Sequence, residues 1–492
     1  MPRALTERSW WLALALAALA PRAAGAFLRR PWHDEYFTAW ASKLPLADLV
    51  AALRLDSGPP LPYLLVKLFA SVGSDPIAAA RAISVAAGTA AVLIAALASR
   101  RAFGDRAGWW TGALLAVHPL AVAWSCEGRA YALVLLAAAW AWERMEAMSS
   151  NGRGAVGLAF AVALACWSHG LGMLLAAVLA AAALTLRLPV RGRALSAVGV
   201  GIASHLPWLP IALHQPPAAV AWMSVSWQAM PIPDRVTAPL RMLSPLADFA
   251  TALDLPSSTG VLEVAAAMAL IVLVVAGCLT RGAFRFAIGF ILPTAALGAL
   301  AALGVPAFYP GRGEVLAMVP LLALVGAAAG SRRPAALAGL ALVCAGAVTV
   351  ARAEAAWAHA PARGEQRIAE TLRQSMPHGG LVVISGYGRL GIEYHLGSAA
   401  SGFELVNYPA EAARHPGWYD PFVDRPASDE LNQLRQRASS VRIPVAEVVS
   451  RGLPTTTDLS RLASSLGLRP ALDVEDSIVF VSPGGSALPL RP

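Results

Sequence analysis

Apolar runs of spanning length recur along this chain, and its arginines gather in some of the short connections between them. The runs fall at about 77–98, 109–125, 130–147, 195–213, 261–279, 285–303, 314–330 and 334–351, each close to the ~20 residues a bilayer core requires. Only 14% of the 492 residues are charged, 57% are hydrophobic, and mean hydropathy is +0.57. A soluble globular protein carries about 25% charge. The composition therefore excludes an ordinary water-soluble fold and predicts a polytopic α-helical membrane protein.

The N-terminus supports two readings. Arg3 and Arg8, the run Trp10 to Ala20 and then Ala24-Gly25-Ala26 resemble a signal peptide with a small-residue cleavage site. An uncleaved first transmembrane helix is preferred, because the apolar run extends through Ala23 to Phe27 and Leu28. Either way the segment that follows lies outside.

Charge decides the remaining topology. The apolar block 155–186 is too long for one span and short for two, with Gly170 and Gly172 interrupting it. Arginines cluster at 100, 101 and 106, at 144 and 153, at 187, 191 and 193, at 281 and 285, and at 332 and 333. Short loops rich in arginine stay cytoplasmic. All five clusters fall inside, together with Arg3 and Arg8, only if 155–186 crosses twice and turns near His169. This predicts about 11 transmembrane helices, with the C-terminus outside. The 28–76 loop, the Ser125–Ala130 turn, the His169 turn, the 214–260 loop and the Phe308–Glu314 turn then share the outer face. The net charge of +9 partly reflects this topology and is not a nucleic-acid signal. The four cysteines stand singly, with no metal or disulfide spacing.

The expected division is a transmembrane domain, 1–352, carrying the outer loop 28–76, and an extracytoplasmic α/β domain, 353–492. In the tail the pattern predicts helices at Gly364–Gln374, Leu390–Leu396, Asp429–Ala438 and Leu459–Leu466, with strands at Leu381–Ser385, Phe403–Tyr408 and Ser477–Ser482. Gly386-Tyr387-Gly388-Arg389-Leu390-Gly391 has the form of a dinucleotide fingerprint. No clear acidic residue ends the next strand, and the domain lies outside, so a tight turn opening a helix is the preferred explanation. Glu393, Tyr394 and His395 read as a solvated helix face.

Charged residues beside a bilayer are costly to place and are candidate functional groups. Asp34 and Glu35 follow Trp32-His33; Asp56-Ser57-Gly58-Pro59-Pro60-Leu61-Pro62-Tyr63 closes the same loop, its proline pair expected to be extended ahead of Leu61–Phe69. Glu127 and Arg129 stand two apart before Tyr131. They either neutralise each other or leave Arg129 to grip a phosphate, which its planar fork of donors suits. His169 is either a hydrogen-bonded structural histidine or a partner of Glu127 in a site. Tyr309-Pro310-Gly311-Arg312 supplies a second outer arginine.

In this order Asp34-Glu35, Asp56-x-x-Pro59-Pro60-Leu61-x-Tyr63, Glu127-x-Arg129-x-Tyr131, His169 and Leu206-Pro207-Trp208-Leu209-Pro210 resemble the GT-C glycosyltransferases. The bacterial branch similar to protein O-mannosyltransferases and the lipid A aminoarabinose transferase is nearest, over about residues 5–352. Relatives often carry histidine or lysine just before the Pro-Pro pair, where this chain has Gly58. The resemblance implies an enzyme of the bacterial inner membrane. It would move a sugar, with inversion, from a polyprenyl-phosphate-linked donor to a lipid, glycan or protein acceptor on the outer side. It further implies Asp34 as base, Glu35 beside it, and Asp56, Tyr63, Glu127, Arg129, Tyr131, His169 and Arg312 around the substrates. Asp34, Asp56 and Glu127 are the candidate ligands should a divalent metal be used. The competing readings are a polyprenyl-lipid transporter or flippase, which would place polar groups near the midplane on broken helices, and a non-catalytic lipid-binding relative.

Overall fold

The computed structural model describes residues 2–217, 219–220, 231, 261–303, 305, 311–386, 388–413, 415, 429–441, 443–474 and 476–483. Most of the 214–260 loop, Phe308 to Pro310 and Tyr387 of the glycine motif lie outside these. The chain forms two units: Met1–Arg29 with Leu46–His359, and Arg30–Pro45 with Ala360–Pro492. The expected boundary near 353 thus falls at the end of a helix, after His359. The first part of the 28–76 loop belongs with the C-terminal unit rather than with the helical one.

In chain order, α1 (Pro2–Leu28) is followed by three shorter helices, α2 (His33–Lys43), α3 (Leu46–Arg54) and α4 (Leu61–Ala70). The bundle continues with α5 (Pro76–Phe103), α6 (Asp105–Val117), α7 (Pro119–Cys126), α8 (Tyr131–Asn151), α9 (Ala155–Ser168) and α10 (Leu171–Ala183). Then come α11 (Leu188–Ala203), the short α12 (Leu209–Ala212), α13 (Val261–Cys278), α14 (Phe284–Ala302), α15 (Val315–Ala329) and α16 (Arg333–Ala358). By length and composition, Glu7–Leu28, Pro76–Phe103, Leu188–Ala212 and Arg333–Ala358 suffice to cross a membrane among the described residues, and shorter apolar helices lie at Ala155–Ser168, Leu171–Ala183, Val264–Cys278, Phe284–Leu300 and Val315–Ala329; the expected spans 109–125 and 130–147 are not among these. The block 155–186 does divide in two, at His169-Gly170, into α9 and α10.

Small residues let these helices approach, as expected where apolar side chains gain nothing by leaving lipid. A Cβ on Gly289 would sit 2.2 Å from the Trp142 ring, so α14 and α8 meet there only because no side chain intervenes. The expected span 109–125 is broken, because Pro119 has no N–H to offer the carbonyl of Leu115. Arg22, fully buried on α1, repairs the break: it donates to the carbonyls of Leu115 at 3.0 Å and Ala116 at 2.8 Å, and to Ser125 Oγ at 3.2 Å.

Ion pairs gather the arginine-rich connections at one end of this bundle. Arg100 pairs with Glu7 and Asp105, Arg101 and Arg144 share Glu143, and Arg285 pairs with Glu146 while donating to Thr185 Oγ1. Glu143 and Glu146 lie in the second half of α8. Tyr131 opens that helix, roughly 18–23 Å away at 1.5 Å per residue.

The second unit is an α/β domain. Helices α17 (Gly364–Ser375), α18 (Arg389–Leu396), α19 (Glu430–Ser440) and α20 (Thr456–Leu466) cover a five-stranded sheet. Its strands are β1 (Gly380–Ser385), β2 (Phe403–Tyr408), β3 (Val445–Ser450), β4 (Arg469–Val474) and β5 (Ser477–Val481), in the order β2-β1-β3-β5-β4. β1 is parallel to β2 and β3; β5 is antiparallel to β3 and β4. Alternation along the central strands feeds both faces: Val382, Ile384, Ala446 and Val448 meet α17 and α18, whereas Leu381, Val383, Val445 and Val449 meet α19 and α20. The helices and strands expected in the tail are present to within a few residues; β3 and β4 are additions.

Candidate active site

Two groups of the expected residues sit in the helical unit, at the end of the bundle opposite the arginine-rich connections. In the first, the turn between α7 and α8 holds Glu127 in extended backbone, and the N–H of Arg129 bonds back to the Glu127 carbonyl at 2.8 Å. The Glu127 carboxylate is engaged by Arg29, beyond the end of α1, at side-chain exposures of 12% for each partner. Arg29 also lies over the Trp357 ring, 5.5 Å from its centre. Arg81 ties the same corner, donating to the carbonyls of Ala26 and Arg29, each at 2.7 Å. Ser84 Oγ donates to the Arg129 carbonyl at 3.3 Å.

Tyr131, in the first turn of α8, packs its ring 5.3 Å from that of His169. His169 occupies the turn between α9 and α10 and accepts the Leu171 N–H at Nδ1, 3.1 Å away. Burial first, then the positive charges of Arg129 and Arg312, push its pKa down to about 4. Three separate turns therefore bring two guanidinium groups to bear on one neutral imidazole. Trp124 joins the third turn to α7, donating from Nε1 to the Gly311 carbonyl at 2.8 Å. Glu314 closes that turn by accepting the Gly311 N–H at 2.9 Å. Its side chain is fully buried, and burial raises its pKa to about 8.

The second group is the α3–α4 loop. Tyr63 donates its hydroxyl to Asp56 Oδ2 at 3.2 Å, and Gln215 Nε2 donates to the carbonyls of Leu53 and Gly58 at 2.8 and 3.2 Å. The proline pair departs from expectation: Pro60 is helical, with φ −80° and ψ −18°, and caps α4. A proline restricts the residue before it. Pro60 precedes Leu61, so it is free to begin the helix.

Asp34 and Glu35 lie in the other unit, in the first turn of α2, where the helix dipole favours a carboxylate. Glu35 is wholly buried and Asp34 partly so. The supposed solvated face of α18 is not one, since the Tyr36 hydroxyl lies 2.8 Å from His395 Nε2 and the Tyr36 ring packs on Tyr394. Among the described residues no three histidine, cysteine or acidic side chains gather as a metal site. Glu127 is held by Arg29 and Asp56 by Tyr63.

Sequence reasoning passed over Arg22, Arg29, Arg81 and Glu314. A charge within an apolar run marks Arg22 and Arg81; nothing in the sequence singles out Glu314 from other residues opening a span.

Residues 57–210 match the family described as dolichyl-phosphate-mannose-protein mannosyltransferase. This stretch contains Tyr63, Glu127, Arg129, Tyr131 and His169; Asp34, Glu35, Asp56 and Arg312 lie beyond it. No curated protein matches. Among solved structures, ArnT from Cupriavidus metallidurans in the apo state aligns over 97% of this chain and 98% of its own, at 16% identity and a TM-score of 0.51. The apo oligosaccharyltransferase of Archaeoglobus fulgidus aligns over 90% of this chain and 69% of its own, at 14% identity and a TM-score of 0.52. The chain thus has the fold of these two structures along nearly its whole length, and it is a multi-pass membrane protein that resembles ArnT and the protein mannosyltransferases of the GT-C kind.

Proposed function

We propose that this protein is an inverting membrane glycosyltransferase that moves a sugar from a polyprenyl-phosphate carrier to an acceptor hydroxyl on the outer face of a bacterial inner membrane. The observation that carries the reading is the cluster at the end of the bundle away from the arginine-rich connections, where the Tyr131 ring lies 5.3 Å from His169 beside the Glu127–Arg129 turn and the positive charges of Arg129 and Arg312 act on the imidazole. Arginine-rich connections mark the cytoplasmic side, so the opposite end is external. Two arginines beside a neutral histidine suit a phosphate, which accepts from their forked donors.

A polyprenyl phosphate leaves without protonation, so the protein has two tasks. Arg129 and Arg312 stabilise the charge that develops on the departing phosphate. Asp34 takes the proton of the acceptor hydroxyl as its oxygen attacks the anomeric carbon; that bond forms while the carbon–phosphate-oxygen bond breaks, and the electron pair leaves with the phosphate. Asp34 suits this role better than Glu35, whose side chain is fully buried. Asp56, Tyr63, Glu127 and Tyr131 shape the surroundings, with Glu127 held by Arg29.

The test uses purified protein in nanodiscs with a panel of polyprenyl-phosphate sugars. Wild type is expected to release free polyprenyl phosphate, and Asp34→Asn to do so about 10²–10⁴ times more slowly, the range for loss of a general base. A donor bound equally by both proteins and consumed by neither would replace the enzyme with a lipid-binding protein.

A further inference from the structure

The helix bearing Asp34 is seated within the C-terminal unit by residues from the opposite end of the chain. Tyr36 and His395, 359 residues apart, meet at 2.8 Å between hydroxyl and Nε2. The Tyr36 ring lies 5.4 Å from the Tyr394 ring, and on the next position of α2 Phe37 lies 4.8 Å from the His415 ring. Tyr36 is 1% exposed. The last glycine of the Gly386–Gly391 motif makes the seat possible: a Cβ on Gly391 would fall 3.0 Å from Tyr36 Cε2 and 2.7 Å from Glu365 Cγ.

The motif's other possible use is closed off. In open parallel sheets ligands enter where strand order reverses, beyond the carboxyl ends of the strands. Here that place lies between β1 and β3, and Ser450 fills it by donating from N to Ser385 Oγ at 2.6 Å and from Oγ to the Ser385 carbonyl at 3.1 Å. Gly391 serves the packing of α2 instead.

Residues two apart on a helix point about 200° from each other. Pressing Tyr36 onto α18 therefore turns Asp34 away from the seat, in keeping with the partial exposure of Asp34. We propose that Tyr36, Gly391 and His395 are positioning residues that set the rotation of α2, and through it the direction of the Asp34 carboxylate. This rests on the reading of Asp34 as the base. It gives the C-terminal domain a part in the reaction through its hold on α2.

The experiment combines donor turnover with hydrogen exchange of the peptides covering residues 33–43, in the full-length protein in nanodiscs. Gly391→Leu, which displaces the Tyr36 ring, is expected to lower kcat about a hundredfold, the scale of a 1 Å misplacement, and to raise exchange across α2. Tyr36→Phe keeps the ring and loses the hydroxyl, so kcat falls a fewfold, about three to ten. In both variants KM for the lipid donor stays within about twofold, since the phosphate-side arginines are untouched. His395→Gln, which still offers a donor to the hydroxyl, retains most of the activity that His395→Ala loses. Full kcat in Gly391→Leu, or unaltered exchange over 33–43, would overturn the inference while leaving the glycosyltransferase reading intact. A wild-type protein that turns over no donor would remove that reading and this inference with it.

Discussion

The pairing of Arg29 with Glu127 is the structural claim most open to a quantitative test, because the sequence alone pairs Glu127 equally well with Arg129. At about 4 Å between charge centres and an effective dielectric near 20, the attraction is about 4 kcal/mol. Both side chains are only 12% exposed, so removing one partner leaves the other charge poorly solvated, a change that costs about 3–5 kcal/mol in buried pairs. The residual exposure places this pair near the lower figure. Glu127→Gln and Arg29→Met should each destabilise by about 3 kcal/mol, and the double variant by much less than their sum, with a coupling of about 2 kcal/mol. Equilibrium unfolding in mixed detergent–SDS micelles measures all four corners of the cycle. Additive single effects would refute the pairing. Strong coupling of Glu127 to Arg129 in a parallel cycle would reinstate the neutralised pair and withdraw Arg129 from the phosphate.

Three further outcomes follow from the buried titratable groups. His169 is held near pKa 4 against an ordinary 6.5, so the unfolded chain binds its proton first and stability falls as pH drops from about 6.5 to 4. The loss is about 3 kcal/mol, and unfolding of His169→Gln across that range should lack it. Glu314, raised to about 8 from 4.5, acts in the opposite direction: the folded state keeps the proton, so stability falls as pH rises through this interval. Glu314→Gln should lose less of its resistance to denaturant between pH 6 and 9 than wild type does. Glu447 on β3 is fully buried, with neither oxygen in hydrogen-bonding geometry to the described residues, and burial lifts its pKa to about 8 against a lowering by the Ala463 amide. Glu447→Leu should stabilise the C-terminal unit by about 1–3 kcal/mol, read as slower proteolysis of residues 360–483 at pH 8.5.

Hydropathy and arginine placement carried much of the architecture because both act through the bilayer, which any segment meets regardless of its neighbours. The split of 155–186 at His169 was accessible for that reason, from where Arg187, Arg191 and Arg193 had to lie. Glu127, Arg129, Tyr131 and His169 were visible as polar residues at the ends of apolar runs. What pairs with what was not visible: Arg29 and Glu127 are 98 positions apart, and no local pattern joins them. Arg22 looked like a blemish in an apolar helix because its partners are carbonyls left over by a proline nearly a hundred residues later. Strand β3 went unread since Glu447 interrupts its apolar pattern at a position the fold nevertheless buries. The helix that begins at His33 and carries Asp34 was not legible as part of the C-terminal unit, because Tyr36 is held by a histidine that no spacing rule connects to it.

The discontinuous make-up of the C-terminal unit sets an order on biosynthesis. Residues 30–45 leave the ribosome while more than three hundred residues of the chain are still to be made, and α18 and its His395 come late among these. Throughout that interval α2, only 11 residues long, is shorter than an isolated helix needs to persist in water. The segment carrying Asp34 consequently acquires its shape only once the later residues of the C-terminal unit have been made and have folded around it. A chain that stalls or is cut between the two units has its complete bundle, yet lacks the Tyr394 and His395 that seat Tyr36.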